Sequence, residues 1–136
     1  MAVISAIPLF AYLWVIINAV LLTGGGAALE GTLFSVGLVS GAQWSATVSD
    51  LFVVLGVLAL YIEVFKATRT GTASVIDHTL SMIVFVAFLV EFLIYSGAGN
   101  STFVILGMMS LLDVVAGFTI TIVAARRDFA IGDSGN

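Results

Sequence analysis

Four long apolar runs, separated by short polar or glycine-rich stretches, set the pattern of this chain. The first, residues 4–22, reads ISAIPLFAYLWVIINAVLL and contains one strongly polar side chain, Asn18. It lacks a basic leader and is long for a signal segment, so it predicts a retained helix with Pro8 near its start. The second run is 47–66, with Thr47, Ser49 and Asp50 as N-cap residues and Lys66 closing it. The third, 78–96, follows a polar connection in which Ser74-Val-Ile-Asp77 resembles a capping box. Gly97-Ala-Gly-Asn100 then makes a tight turn into the fourth run, 101–125, which Arg126 and Arg127 close.

The fourth run is the most informative. As a helix it is roughly 37 Å long, enough to cross a bilayer core. At about 100° per residue one stripe collects Thr102, Leu106, Ser110, Asp113, Gly117, Thr121 and Ala124, while Val, Ile, Leu and Phe fill the other faces. That stripe predicts a protein-facing side; the remainder predicts a lipid-facing one.

Residues 23–46 interrupt the regularity. Six glycines, Gly24, Gly25, Gly26, Gly31, Gly37 and Gly41, argue against a spanning helix, since each interior glycine costs up to about 1 kcal/mol against Ala. Leu33, Phe34, Val36, Leu38 and Val39 are too apolar for a solvated loop. The expectation is a short amphipathic or interfacial segment, with Trp44 as an anchor at the headgroups.

Composition agrees with the pattern. Of 136 residues 61% are hydrophobic and 9% charged, against about 45–50% and about 25% in soluble domains. Too little polar surface exists to coat a water-soluble globule. The predicted fold is therefore an all-α integral membrane protein. It is one domain over 1–136, with four transmembrane helices in an up-down bundle, an interfacial segment between the first two helices, and a loose tail over 126–136. Lys66 and Arg69 fall between the second and third spans, Arg126 and Arg127 after the fourth. With four spans all of them lie on one side, which predicts cytoplasmic termini by the positive-inside rule. Absence of cysteine excludes disulfides and thiolate chemistry, and absence of a basic patch argues against nucleic acid as a partner.

Acids within spans carry the functional signal, because a charged side chain at the bilayer centre costs about 2.5–3.5 kcal/mol on insertion scales. Glu91 and Asp113 fall in the middle to outer membrane, their heights differing by about two helical turns. Asp50 falls near the outer surface. Glu63 falls about one turn above the inner surface, where Lys66 can pair with it. No basic side chain reaches the depth of Glu91 or Asp113, so each either holds a proton or faces water or a bound cation. One reading makes Asp50, Glu91, Asp113 and Glu63 a discontinuous acidic route for protons or small cations. The other makes them interhelical hydrogen-bonding groups, joined to Ser110, Thr121, Asn18 or Tyr95.

His78, the single histidine, has no second histidine with which to hold haem or a metal, and reads as an interfacial residue. Met108-Met109 reads as apolar filling. The glycine triplet lacks the Lys-Ser/Thr of a phosphate loop, and no GxSxG occurs. No catalytic, cofactor or metal site is expected. Gly56, Ser110, Gly117 and Thr121 mark close helix packing, as do Ala59 and Gly107. The expected role is a structural or accessory subunit that oligomerises or docks onto a larger membrane complex. The alternative is an oligomeric proton- or cation-coupled transporter or channel using its intramembrane carboxylates.

Overall fold

The computed structural model describes residues 7–68 and 72–133. Among them four helices are long and apolar enough to cross a membrane. These are α1 (Leu9–Gly24), α2 (Val48–Ala67), α3 (Thr72–Ile94) and α4 (Ser101–Asp133). The expected start of the first span at 4–6, Arg69 and the end of the tail at 134–136 lie outside the described residues.

The helices start where local chemistry supplies their orphan N–H groups with acceptors. Thr47 caps α2 in a reciprocal box: its hydroxyl accepts from the Asp50 N–H, and the Asp50 carboxylate accepts from the Thr47 N–H at 2.8 Å. Asn100 caps α4, its Oδ1 accepting from the Phe103 N–H at 2.9 Å. The cap of α1 comes from another helix. Pro8 precedes its first turn, and the Leu9 N–H donates to Glu63 Oε1 on α2 at 2.6 Å.

Three sequence expectations are corrected. The third helix begins at Thr72, so Ser74 and Asp77 lie inside it and form no capping box; both side chains are engaged with partners elsewhere in the bundle. The tail does not loosen at Arg126. Helix α4 runs on to Asp133, because Ala124 to Ile131 contains good helix formers and no proline. Finally, the chain is not all helical. After a 3-10 segment at Gly25–Glu30, residues 32–47 form an antiparallel hairpin of β1 (Thr32–Gly37) and β2 (Gln43–Thr47).

The hairpin follows from period-two alternation that helical reasoning overlooks. Phe34, Val36, Trp44 and Ala46 share one face, with Phe34 opposite Ala46 and Val36 opposite Trp44. Ser35 and Ser45 pair on the other face, their hydroxyls 2.7 Å apart. Leu33 is the extra residue of a bulge between Thr32 and Phe34. The tip turns at Leu38–Gly41, where Gly41 adopts φ 86°, a left-handed value suited to glycine.

The core forms along one stripe of each helix: Phe10, Leu13, Ile17 and Leu21 from α1, Phe52 and Ala59 from α2, Phe88 from α3, Phe103 and Leu106 from α4. The recurrence at helical spacing buries one side and leaves the rest, including Leu22, Val54, Ile83, Leu93 and Val115, exposed to the surroundings. Helix α4 packs most extensively on α2 and α3. Gly56 permits the first approach, since a Cβ there would stand 2.7 Å from Leu106 and from Met109 Sδ.

Candidate functional site

Polar side chains inside the bundle are concentrated where α2, α3 and α4 meet, in the half that carries Lys66. Glu63 is 1% exposed. Besides capping α1, it accepts from Lys66 Nζ at 2.9 Å. The same ammonium donates to Asp77 Oδ1 on α3 at 3.1 Å. One lysine thus holds two carboxylates on two helices, and Glu63 ties in a third helix through the Leu9 N–H. Lys66 lies one turn beyond Glu63, so both project from the same face of α2.

The α3 residues on this side run Ser74, Asp77, His78 and Ser81, one stripe at helical spacing. It faces the α4 stripe that the sequence singles out. His78 Nε2 lies 3.1 Å from the Ser74 hydroxyl and 3.0 Å from that of Thr121. Gly117 makes room for the imidazole: a Cβ there would stand 2.6 Å from the ring. Phe118 lines its side at 5.9 Å between ring centroids. His78 is therefore a buried interhelical residue rather than an interfacial one.

Asp113 stands one step deeper. It is 5% exposed and hydrogen-bonded by Ser81, within reach of the charges of Glu63, Asp77 and Lys66. Its Oδ2 and the Ser110 hydroxyl are, among the described residues, the buried side-chain oxygens that lack a hydrogen-bond partner. They project from adjacent turns of α4. Beyond them the interior turns apolar: Leu106, Phe103 and Phe88 are each at most 1% exposed, with the two phenyl rings 5.1 Å apart. Near the other end polar contacts appear again, the Ser49 and Thr102 hydroxyls meeting at 2.6 Å between α2 and α4.

The remaining sequence candidates lie elsewhere. Glu91 faces α1, where its Oε2 accepts from Trp14 Nε1 at 2.6 Å and from Asn18 Nδ2 at 3.0 Å. Asp50 is exposed at the start of α2, within its capping box. Trp44 is about half exposed and packs edge-on to Phe34 in the hairpin. The structure thus brings Glu63 and Asp113 together and keeps Glu91 and Asp50 apart from them.

Sequence reasoning missed Asp77, His78 and Ser81 as members of one cluster, and Trp14 as the partner of Glu91. The signal existed in the Ser74–Ser81 spacing, but placing the helix start at 78 cut the stripe in two. No group of three or more His, Cys, Asp or Glu suited to a metal ion occurs among the described residues. No family model matches the chain, and no curated protein or solved structure is detectably similar to it.

Proposed function

We propose that this chain is a small accessory subunit of a membrane complex: a four-helix up-down bundle, both ends on the cytoplasmic side, that docks through its outer hairpin. The observation that carries this reading is the hairpin itself. Its apolar face shows Phe34, Val36 and Trp44, and its tip Leu38 and Val39, all exposed. A two-stranded ribbon is marginal alone, and its outer edges offer unpaired N–H and C=O groups to another strand. Most intramembrane acids, meanwhile, already have structural partners: Glu63 on α1, Asp77 on α2, Glu91 on α1. Native mass spectrometry of the protein gently extracted from its own membrane tests the proposal. A fixed-ratio complex with larger chains is expected, and Val39→Asp releases those chains. A lone monomer or homo-oligomer, unchanged by Val39→Asp, overturns it.

A second reading, proton or cation coupling in an oligomer, draws its support from Asp113, whose carboxylate oxygen is buried without a partner beside an equally buried hydroxyl.

A further inference from the structure

The polar groups of the bundle interior gather at one end, in the half that carries Lys66. From the Lys66 end, Ser74, His78 and Thr121 form one linked group, Lys66 joins Glu63 to Asp77 in a second, and Ser81 contacts Asp113, with the unpartnered Ser110 hydroxyl one turn further along α4. Along α3 the ladder from Ser74 to Ser81 rises about 10 Å, and along α4 from Thr121 to Ser110 roughly 16 Å. Beyond Ser110 stand the buried apolar side chains Leu106, Phe103 and Phe88, on the way towards the hairpin end. Among the described residues no hydrogen bond joins Asp113 or Ser110 across those side chains to the Ser49–Thr102 pair, and the Glu91 contact with Trp14 and Asn18 lies apart, between α1 and α3.

The cluster also has an excess of negative charge. Facing Asp113 are Glu63 and Lys66 from α2 and Asp77 from α3; α1 contributes no charged side chain, and Arg126 and Arg127 lie exposed well beyond on α4. Three carboxylates thus share one ammonium in a region shielded from water, an arrangement costly unless a positive charge joins it. The orphaned oxygens of Asp113 and Ser110 mark where it joins. A metal ion needs several oxygens converging on one point, and no such group of acids occurs among the described residues. A proton needs one carboxylate oxygen and one acceptor for the resulting O–H.

We propose that Asp113 is a proton-binding site reached only from the Lys66 side of the bundle, with Phe88, Phe103 and Leu106 closing the opposite side. Binding converts the Asp113 carboxylate to the acid; the Ser110 oxygen, one turn away and not bonded to it in the structure, becomes an acceptor for the new O–H only after its side chain rotates, and release returns the proton towards the Lys66 side. The proposal rests on the second functional reading for what the proton drives, though not for the existence of the site.

Infrared difference spectroscopy of the full-length protein in liposomes, between acidic and neutral buffer, is the test. A carboxylic C=O band is expected that Asp113→Asn removes and Asp50→Asn, at the exposed cap, keeps. Should Asp113→Asn misfold, Ser81→Ala gives the same information by moving the band of a folded protein. In uniformly oriented liposomes the band answers an acid step on the Lys66 side and not one on the hairpin side. A spectrum that neither Asp113→Asn nor Ser81→Ala alters overturns the proposal, as does a response from the hairpin side or replacement of the band by a sodium-dependent carboxylate signal. The band with no Asp113-dependent proton flux upholds the site and removes the transport reading alone.

Discussion

The two halves of this bundle are held together by different means. Towards Lys66 the contacts between α1, α2 and α3 are ionic: Leu9 N–H to Glu63, Glu63 to Lys66, Lys66 to Asp77. Towards the hairpin they are mainly aromatic and aliphatic, with Phe88 on Phe103 and Leu106 beneath, and the polar contacts are isolated ones: Ser49 with Thr102, and Glu91 with Trp14 and Asn18. The difference teaches how a small chain uses a few polar residues in lipid. Apolar side chains gain little by leaving lipid for one another, so packing alone discriminates weakly between helix arrangements, whereas a buried ion joining several helices admits few alternatives. The ionic half specifies which helices meet; the apolar half fills the space left between them.

The largest effect should come from breaking the ionic half at its centre. Lys66→Met leaves Glu63 and Asp77 as buried carboxylates without their cation, and removing one partner of a buried pair costs about 3–5 kcal/mol. Denaturant unfolding in mixed micelles should register that loss. The triple variant with Glu63→Gln and Asp77→Asn should recover most of it, since no uncompensated charge remains. A Lys66→Met protein as stable as the parent would show that the cluster does not specify the fold.

Next in size is the glycine contrast along α4. At Gly117 a methyl group meets the His78 ring at 2.6 Å, and that ring is held by Ser74 and Thr121, so it has little freedom to move. At Gly107 the nearest atom is Phe88 Cβ at 3.6 Å, an ordinary contact. Gly117→Ala should therefore lose about 1–3 kcal/mol through overpacking, and Gly107→Ala close to none. Equal stabilities for the two variants would mean that the polar half repacks as readily as the apolar half.

Legibility in the sequence divides along similar lines. The spans were readable because each buries one stripe and gives the rest to lipid, a period visible in Ser110, Asp113, Gly117 and Thr121. Close approach at Gly56 and Gly117 was readable from residue size, and the Glu63–Lys66 pair from its spacing. Pairings between distant segments were not. Asn18 appeared as one of several possible partners for an acid, but nothing local joins Trp14 to Glu91 across the chain. His78 reads as interfacial because the polar, threonine- and glycine-bearing stretch before it hides the first turn of α3. The hairpin is hard to read because six glycines signal a broken helix more strongly than the short alternation of Phe34 and Val36 with Ser35 and Gly37 signals a strand.

A smaller effect belongs to Glu91, which joins α1 to α3 one turn beyond Phe88, within the hairpin half. Its Oε2 acts only as an acceptor towards Trp14 and Asn18. Glu91→Gln keeps an acceptor oxygen there and should unfold like the parent. Glu91→Leu strands the indole N–H and the amide, and should cost roughly 1 kcal/mol, since interhelical hydrogen bonds in membranes average about 0.6 kcal/mol each and two are lost. If Gln is as damaging as Leu, the charge of Glu91 matters beyond its bonding.

The smallest effect on stability is expected at the hairpin tip, and that smallness makes it diagnostic. Val39 is fully exposed and Leu38 about half exposed, on a turn whose backbone bonds, Leu38 N–H to the Ala42 carbonyl and Gly41 N–H to that of Leu38, involve no side chain. Val39→Asp should thus shift unfolding by less than about 0.5 kcal/mol, as surface changes do. Helix packing, read by the Lys66 and Gly117 variants, should be untouched. Any larger consequence must arise from what the tip touches outside the chain. Loss of co-purifying subunits with intact bundle stability would separate the docking half from the self-assembling half. Loss of stability together with those subunits would instead make the hairpin part of the fold, and the division between the two ends would fail.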